Sequence, residues 1–275
     1  MRILIDSLSS QVQVQMQGSQ TPNQDYPTPG RRLNTLLGAM RSAGASLYPA
    51  PDADWEICFS CGPIDSTQLE GVDVFFVMTH CPADDQSNPA WEWSPEEIDA
   101  ITGFVEGGGG LLLLTNHPDY MQYDAALAAA FGVTLQPEFV SNPTGWLSMS
   151  GTCLNTADFG NTFLYGVDSL AAHDGCAISA SASPEGDWPF TWLAAFPDDA
   201  NAPQDCYFAA QVAAGQGQVI VVANSGIVGD YGGNPAPACG GVASGSNLMF
   251  VLNCLRILGG QQYSSTPGVC PGGQG

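Results

Sequence analysis

The sequence predicts an α/β protein in which helices cover a mostly parallel central sheet. The first observation is that amphipathic helical segments alternate with short apolar runs. The second is that some of these runs are almost unbroken, namely V-D-V-F-F-V-M-T (72–79), L-L-L-L (111–114) and Q-V-I-V-V-A (218–223). Such runs are typical of strands that are buried on both faces, and strands of this kind belong to parallel sheets.

The first sixty residues predict one strand, one helix and one extended segment. Residues 2–6 form the predicted first strand, with Asp6 at its carboxyl end, and residues 8–29 form a long polar loop. Thr28-Pro29 begins a helix that ends at Gly44, and its apolar stripe consists of Leu33, Leu36, Leu37 and Met40. Residues 55–59 are predicted to be extended.

The clearest local signal is the helix and strand between residues 94 and 114. Ser94 is a good N-cap, Pro95 suits the first helical position, and Glu97 completes a capping box. Four glycines, residues 107–110, end this helix, and one of them is expected to adopt the left-handed conformation. They are not a phosphate-binding loop, because such a loop follows a strand and begins a helix.

The remaining chain predicts two helices, one strand and a β-rich segment. Residues 120–131 predict an alanine-rich helix, and the final helix begins at Ser246 and ends before Gly259. Between them, residues 133–217 contain short apolar runs separated by turns, which predicts a β-rich excursion packed on the core. We therefore expect one domain over residues 1–260 and a flexible tail over residues 261–275.

Composition limits the possible partners. The chain of 275 residues has 27 acidic and only 5 basic residues, which gives a formal net charge of −22. Such a charge disfavours nucleic acids and anionic membranes, because both require a basic surface. No apolar run approaches the roughly 18 residues of a membrane span, so membrane insertion is not expected.

The chain contains nine cysteines, which is many for a reducing compartment. Their odd number leaves at least one thiol unpaired. We expect some disulfides and a location outside the cytoplasm, with a cytoplasmic location as the alternative. For the pair Cys58 and Cys61, a local disulfide or two free thiols is favoured over a redox or metal site, because Gly62-Pro63 follows instead of a helix.

Several stretches together resemble the class I glutamine-amidotransferase-like superfamily. The resemblance covers residues 1–135 and 215–260, and it is carried by L-E-G-V-D-V-F-F-V, S-P-E-E-I-D-A-I-T-G-F-V-E-G-G-G-G-L-L-L-L, A-A-F-G-V, G-Q-G-Q-V-I-V-V-A-N-S and N-L-M-F-V-L-N-C-L-R-I-L. It is nearest to branches without amidotransferase activity, which include bacterial domains of unknown function related to gliding proteins and the N-terminal domain of an intraflagellar-transport subunit. It implies a flavodoxin-like three-layer sandwich.

The catalytic residues of true amidotransferases are missing. Their nucleophilic cysteine lies in a G-x-C-x-G turn after the strand that corresponds to residues 111–114, where this chain has T-N-H-P-D. Their His-x-Glu pair also has no counterpart, since Asn224 and Ser225 stand there. Because thiol-dependent glutamine hydrolysis needs an activated cysteine and a base, we predict a non-catalytic domain for binding or assembly, whose protein or small-molecule ligand the sequence does not identify.

The candidate site is the rim where the predicted parallel strands end, because open α/β sheets bind ligands at that edge. Its candidate catalytic or metal-binding residues are His80, His117 and Asp119, and its candidate ligand-binding residues are Asp6, Cys81, Asn116, Asn224 and Ser225. Asp84 belongs to the same group. Imidazole and carboxylate groups can hold a divalent metal ion, so a metal-dependent hydrolase is the alternative function. In the simpler interpretation, these residues cap helices and satisfy loop amides.

Trp91 and Trp93 flank the start of the helix at residue 95 and could stack on a sugar. Tryptophans in such positions more often cover the edge of a core.

Overall fold

A computed structural model of the chain describes nine segments. They are residues 1–7, 33–42, 55–80, 92–116, 118–145, 147–159, 162–181, 188–229 and 244–261. The long loop predicted for residues 8–29 and nearly all of the predicted tail lie outside the described residues.

The described residues contain eleven strands, nine of which form one sheet. The strands are β1 (Arg2–Ile5), β2 (Glu56–Phe59), β3 (Val74–Met78), β4 (Gly110–Leu114), β5 (Val133–Val140), β6 (Leu147–Ser150), β7 (Ser169–Ala172), β8 (Gly175–Ala180), β9 (Phe190–Ala195), β10 (Tyr207–Ala214) and β11 (Gly217–Val222). The order in the large sheet is β2-β1-β3-β4-β11-β10-β8-β5, with β9 also paired to β10, while β6 and β7 form a separate hairpin.

The half of the sheet that was predicted to be parallel is parallel. β1 pairs with β2 and β3, β3 pairs with β4, and β4 pairs with β11, all in the same direction. In β4 every residue is buried, so both faces of the strand are covered. The mostly parallel α/β architecture is therefore confirmed, and the carboxyl ends of β1, β3, β4 and β11 lie along one rim.

The β-rich segment is more closely joined to the core than the sequence suggested. β10 pairs antiparallel with β11, and β8 continues the sheet by pairing with both β10 and β5. Only β6 and β7 are separate from the large sheet. Most of the segment 133–217 is thus an antiparallel extension of the central sheet and not a layer packed on it. The extension begins at β11, which pairs with β4 on one side and with β10 on the other.

Six α-helices are described. They are α1 (Asn34–Ser42), α2 (Ser66–Leu69), α3 (Pro95–Glu106), α4 (Pro118–Ala130), α5 (Thr156–Phe159) and α6 (Asn247–Leu258). The sequence predicted the four longer helices but neither of the single-turn helices, α2 and α5. A single turn contains too few residues to show a helical period. None of the described helices is long and apolar enough to cross a membrane.

Helix α3 begins and ends as its sequence predicts. The Ser94 hydroxyl accepts a hydrogen bond from the Glu97 amide, and the Glu97 carboxylate accepts one from the Ser94 amide. At the other end Gly108 adopts a φ of 111°, which only glycine tolerates easily. The other oxygen of Glu97 accepts a hydrogen bond from the Ile64 amide at 2.9 Å, so the capping residue also fixes the preceding loop.

Gly217 is predicted to be irreplaceable at the start of β11. A methyl group there would meet the carbonyl oxygens of Val105 and Gly109, which belong to backbone that cannot move aside. We expect Gly217→Ala to lower the free energy of unfolding by about 3 kcal/mol, measured by urea denaturation. Gly103→Ala is the control, because no atom lies within 4 Å of its added methyl group. That change should stabilise α3 by about 0.5–1 kcal/mol, and equal effects at the two positions would contradict the prediction.

Candidate functional site

Polar residues follow the four central parallel strands along the rim. Asp6 follows β1, His80 follows β3 by one residue, Thr115 and Asn116 follow β4, and Asn224 follows β11 by one residue. Parallel strands bring these positions to one edge of the sheet, as predicted. Asp6, His80 and Asn224 are nevertheless almost completely buried, with exposed fractions of 1%, 3% and 5%.

The backbone turns sharply at Thr79, between β3 and His80. Thr79 has a φ of 59°, in the left-handed region that β-branched residues rarely adopt. Its amide donates to the Leu114 carbonyl at 2.7 Å, which holds the turn against β4. Such a conformation costs about 1–3 kcal/mol and is characteristic of functional sites. The strained turn of this chain thus lies after β3. The turn that carries the nucleophilic cysteine of amidotransferases corresponds instead to the end of β4.

His80 forms a buried ion pair with Asp6. Its Nδ1 atom donates to Asp6 Oδ2 at 2.9 Å, and the two side chains are only 4% and 2% exposed. The pair joins the ends of β1 and β3, which are neighbours in the sheet. Because Asp6 engages Nδ1, any exchange of a proton with a ligand would use Nε2.

Trp93, the residue before the N-cap of α3, covers His80. The two rings stack with centroids 3.6 Å apart and an angle of 29° between their planes. Trp93 is 4% exposed and also contacts Phe75 of β3 edge to face. It therefore covers a core edge, the simpler of the two interpretations from sequence, while Trp91 lies outside the described residues.

Asp124 of α4 is a site residue that the sequence analysis missed. It is completely buried, and its Oδ1 atom accepts a hydrogen bond from the His80 amide at 3.1 Å. The available signal was an acidic residue on the apolar face of a helix, since Leu127 and Ala128 follow it at helical spacing and are buried too. Asp6, His80, Trp93 and Asp124 are together called the His80 cluster below.

Burial and charge shift two groups of the His80 cluster in the same direction. Burial alone would lower the pKa of His80, but the charge and hydrogen bond of Asp6, together with the charges of Asp124 and Glu97, raise it overall. Burial raises the pKa of Asp124 to about 7, although the amide and charge of His80 and the indole of Trp93 oppose this effect. Both groups therefore hold their protons more tightly in the folded protein than in the unfolded chain.

The other predicted rim residues form a second polar set beside the cluster. Asn116 Nδ2 donates to the Ser225 hydroxyl at 3.2 Å, which joins the ends of β4 and β11. The Asn224 side chain donates to the Asp174 carbonyl and accepts from the Gly226 amide, so it caps the turn after β11. Of the predicted ligand-binding residues, Asn224 thus has a structural role, while Asn116 and Ser225 are in contact with each other.

The described members of the predicted metal set do not converge. His80 is buried with Nδ1 engaged by Asp6, whereas Asp119 is exposed in the first turn of α4. Asp119 and Asp124 are five positions apart, about 140° around the helix, so they do not share a face. His117, Cys81 and Asp84 lie outside the described residues. In the segments that the structure describes, no three His, Cys, Asp or Glu side chains are grouped to hold a metal ion.

The six described cysteines are free thiols: Cys58, Cys61, Cys153, Cys176, Cys206 and Cys254. Cys58 lies in β2, and the Ser60 amide continues the pairing with β1 by donating to the Ile5 carbonyl at 2.9 Å. An extended chain separates the Cα atoms of Cys58 and Cys61 by roughly 10 Å, beyond the about 7 Å that a disulfide can span. Of the two favoured alternatives for Cys58 and Cys61, the structure therefore has the two free thiols, and no disulfide joins any of the six described cysteines.

Cys176 of β8 is the described cysteine that interacts with the His80 cluster. It is completely buried, and its thiol contacts the Ala223 carbonyl at 3.7 Å. Burial strongly raises the pKa of this thiol, and the charge of Asp124 adds to the effect, which the Thr115 hydroxyl opposes. Cys176 therefore remains a neutral thiol and is a poor nucleophile.

Comparison with solved structures finds the same fold in proteins of low sequence identity. The chain is similar to the mmIFT52 N-terminal domain, with a TM-score of 0.59 and 14% identity over 94% of this chain and 97% of that one. It is similar to a cytoplasmic protein from Salmonella typhimurium, with a TM-score of 0.53 and 12% identity over 93% of this chain and 98% of that one. A ThuA-like protein from Bacteroides uniformis gives a TM-score of 0.53 and 11% identity over 94% of this chain and 91% of that one.

The chain shares the α/β fold of these neighbours. No family model matches the chain, and no curated protein matches it in sequence. At these identities the likeness shows the flavodoxin-like arrangement of sheet and helices, while activity must be argued from the site.

Proposed function

We propose that the chain is a non-catalytic, amidotransferase-like domain that serves in binding or assembly outside the cytoplasm. The observation that supports this proposal most directly is the ion pair between His80 and Asp6. Both side chains are buried, and they satisfy each other at 2.9 Å. Asp6 engages Nδ1 and raises the pKa of His80 against the opposing effect of burial, which reduces the fraction of neutral imidazole that could act as a general base.

The described thiols support the same proposal. A thiol amidotransferase needs a thiolate beside a base, but Cys176, which interacts with the His80 cluster, is fully buried and has a raised pKa. The cluster links β1, β3, α3 and α4, so it supports the rim instead of presenting reactive atoms to a substrate. We place the binding surface on this rim, where the partly exposed Asn116 follows β4 and donates to the buried Ser225 hydroxyl.

Hydrolysis at His80 is the second candidate, favoured by the resemblance of the Asp6–His80 pair to a histidine oriented by a carboxylate. Turnover of p-nitrophenyl acetate and of L-glutamine by the purified chain and by His80→Gln separates the two proposals. We expect that neither protein hydrolyses the two substrates faster than buffer without protein does. Turnover by the unchanged chain that falls at least tenfold in His80→Gln would overturn the non-catalytic proposal.

Assembly and location can be tested in the organism that makes the protein. We expect fractionation to recover the chain outside the cytoplasm, in particles larger than the purified chain as sized by light scattering. Recovery in the cytoplasm would contradict the proposed location. A particle no larger than the purified chain would contradict assembly, and binding of a small ligand at the rim would then be the remaining form of the proposal.

A further inference from the structure

Two thiols that the proposed function does not use lie three residues apart at the end of β2. Cys58 is partly exposed and Cys61 is exposed, and both are free in the structure. Gly62 follows them with a φ of 78°, and no described atom lies within 4 Å of a methyl group added to it. The segment after β2 therefore has room to change its conformation, and its two thiols are accessible to reagents in solution.

A positive charge lies beside Cys58. The Cys58 thiol donates to Glu56 Oε1 at 3.6 Å, and Arg2 Nε lies 3.8 Å from the same oxygen. The Cys58 sulfur and, to a smaller extent, the Glu56 carboxylate raise the pKa of Arg2, so the guanidinium and the sulfur are neighbours. The guanidinium is therefore placed to pair with a Cys58 thiolate, which is the form of cysteine that attacks disulfides.

Ser60, which lies between the two cysteines, joins the end of β2 to β1. The Ser60 amide donates to the Ile5 carbonyl at 2.9 Å. The Ser60 hydroxyl, which is buried, accepts from the Ser7 amide at 2.8 Å and donates to the Ser7 hydroxyl at 3.1 Å. These contacts hold residues 58–61 extended along β1. A disulfide cannot close in that conformation, because its two Cα atoms must lie within about 7 Å of each other.

We propose that Cys58 and Cys61 form a reversible disulfide by exchange with a small external disulfide, and that closing it releases Ser60 from β1. The Cys61 thiolate attacks the external disulfide, forms a mixed disulfide and expels one thiolate. The Cys58 thiolate then attacks the Cys61 sulfur of the mixed disulfide and expels the second thiolate. The protein loses two protons and two electrons, and the external disulfide becomes two thiols.

The exchange alters the end of one strand and leaves the rest of the sheet paired. Among the described strands, β2 lies at the edge of the sheet and pairs with β1, so its end can turn without separating two other strands. Ser7, which loses the Ser60 hydroxyl, directly follows Asp6 of the His80 cluster. Gly62-Pro63 follows the two cysteines instead of a helix, so their role is conformational and not catalytic. This inference goes beyond the proposed function, because the exchange requires no ligand at the rim.

Redox titration of the purified full chain with mixtures of reduced and oxidised glutathione tests the exchange. The samples are quenched with acid, alkylated and digested, and mass spectrometry measures the disulfide between Cys58 and Cys61 in the resulting peptides. We expect this disulfide in the unchanged chain and, in Cys58→Ser, a stable glutathione adduct on Cys61. An adduct on Cys61 that persists in the unchanged chain, or no reaction at either thiol, would overturn the proposal.

Amide hydrogen exchange, measured by nuclear magnetic resonance, tests the release from β1. The Ser7 and Ser60 amides donate between the ends of β1 and β2, and they should exchange about tenfold faster or more in the oxidised chain. The Asp6 amide is the internal control, because it donates to the Phe76 carbonyl of β3 and should keep its rate. If the disulfide forms and the rates of Ser7 and Ser60 stay the same, the strand is not released and the proposal is wrong.

Three variants separate this coupling from general effects. Ser60→Ala removes the hydroxyl that bonds Ser7, so the ratio of disulfide to thiols in a fixed glutathione mixture should rise about tenfold. Ser148→Ala is the matched control, because Ser148 is an exposed serine of β6, and its ratio should be unchanged. Equal ratios in Ser60→Ala and the unchanged chain would contradict the coupling. If Ser60→Ala does not fold, the amide exchange rates of the unchanged chain decide alone.

The third variant controls for the other cysteines. In the double variant Cys58→Ser/Cys61→Ser, oxidised glutathione should leave the amide exchange rates of Ser7 and Ser60 unchanged. A response in this variant would assign the effect to other thiols and would overturn the proposal.

Discussion

Replacing Asp6 with alanine is expected to lower the free energy of unfolding by about 3–5 kcal/mol, because it leaves the His80 imidazole buried without its counterion. The measurement is urea denaturation of the unchanged chain and of Asp6→Ala. Asp6→Asn is the matched variant, since its amide oxygen can still accept from Nδ1 while the charge is gone. We expect Asp6→Asn to lose less than Asp6→Ala, and equal losses would assign the effect to charge alone.

The loss in Asp6→Ala should depend on pH. Burial lowers the folded pKa of His80, but the charge and hydrogen bond of Asp6, together with the charges of Asp124 and Glu97, raise it above its unfolded value. The stabilisation is therefore fully present below the unfolded pKa of about 6.5 and disappears as the pH rises through the folded value. The difference between the two proteins should be larger at pH 5.5 than at pH 9. A difference that increases with pH would contradict the assignment.

Replacing Asp124 with asparagine is expected to stabilise the protein at alkaline pH. Burial raises the pKa of Asp124 to about 7, from its ordinary value of 3.8. Between these two pH values the folded state holds a proton that the unfolded state has released, so stability falls as the pH rises. Asparagine keeps an oxygen acceptor for the His80 amide and removes the buried charge. We expect a gain of about 2–4 kcal/mol at pH 8.

The same comparison at pH 4.5 provides an internal control. Asp124 is protonated in the folded state there, so the gain should be small. Asp119→Asn provides a control on the same helix, because Asp119 is exposed and its replacement should change stability by no more than about 0.5 kcal/mol at either pH. A gain of equal size at pH 4.5 and pH 8 would show that ionisation of Asp124 is not the cause.

The parallel half of the fold was predictable because its signals are local. The unbroken leucine run of β4 requires cover on both faces, and the capping box and glycines around α3 fix where the strand begins. The contact of Asp6 with His80 was also predictable, since both residues follow parallel strands whose carboxyl ends lie at one rim. The antiparallel pairing of β8 with β5 and β10 was not predictable, because no local sequence pattern specifies which strands that are distant in the chain pair with each other.

The remaining members of the His80 cluster come from helices, and their positions depend on how those helices dock. Trp93 stacks on His80 because α3 begins over the end of β3, and Asp124 reaches the His80 amide from the second turn of α4. Neither helix has a sequence pattern at its start that predicts its docking against His80. Asp119 was preferred because it lies shortly after β4, at the carboxyl end of the predicted strand. The helical period nevertheless turns Asp119 to the solvent and Asp124 to the core.

The pairing of β4 with β11 has a consequence for synthesis of the protein on the ribosome. Roughly a hundred residues separate these neighbouring strands, so the apolar edge of β4 emerges long before its partner. At translation speeds of about 5–20 residues per second, that edge waits for about 5–20 s. During this interval the nascent chain exposes the leucines that later form its centre, so we expect a chaperone to associate with it between those two points of elongation.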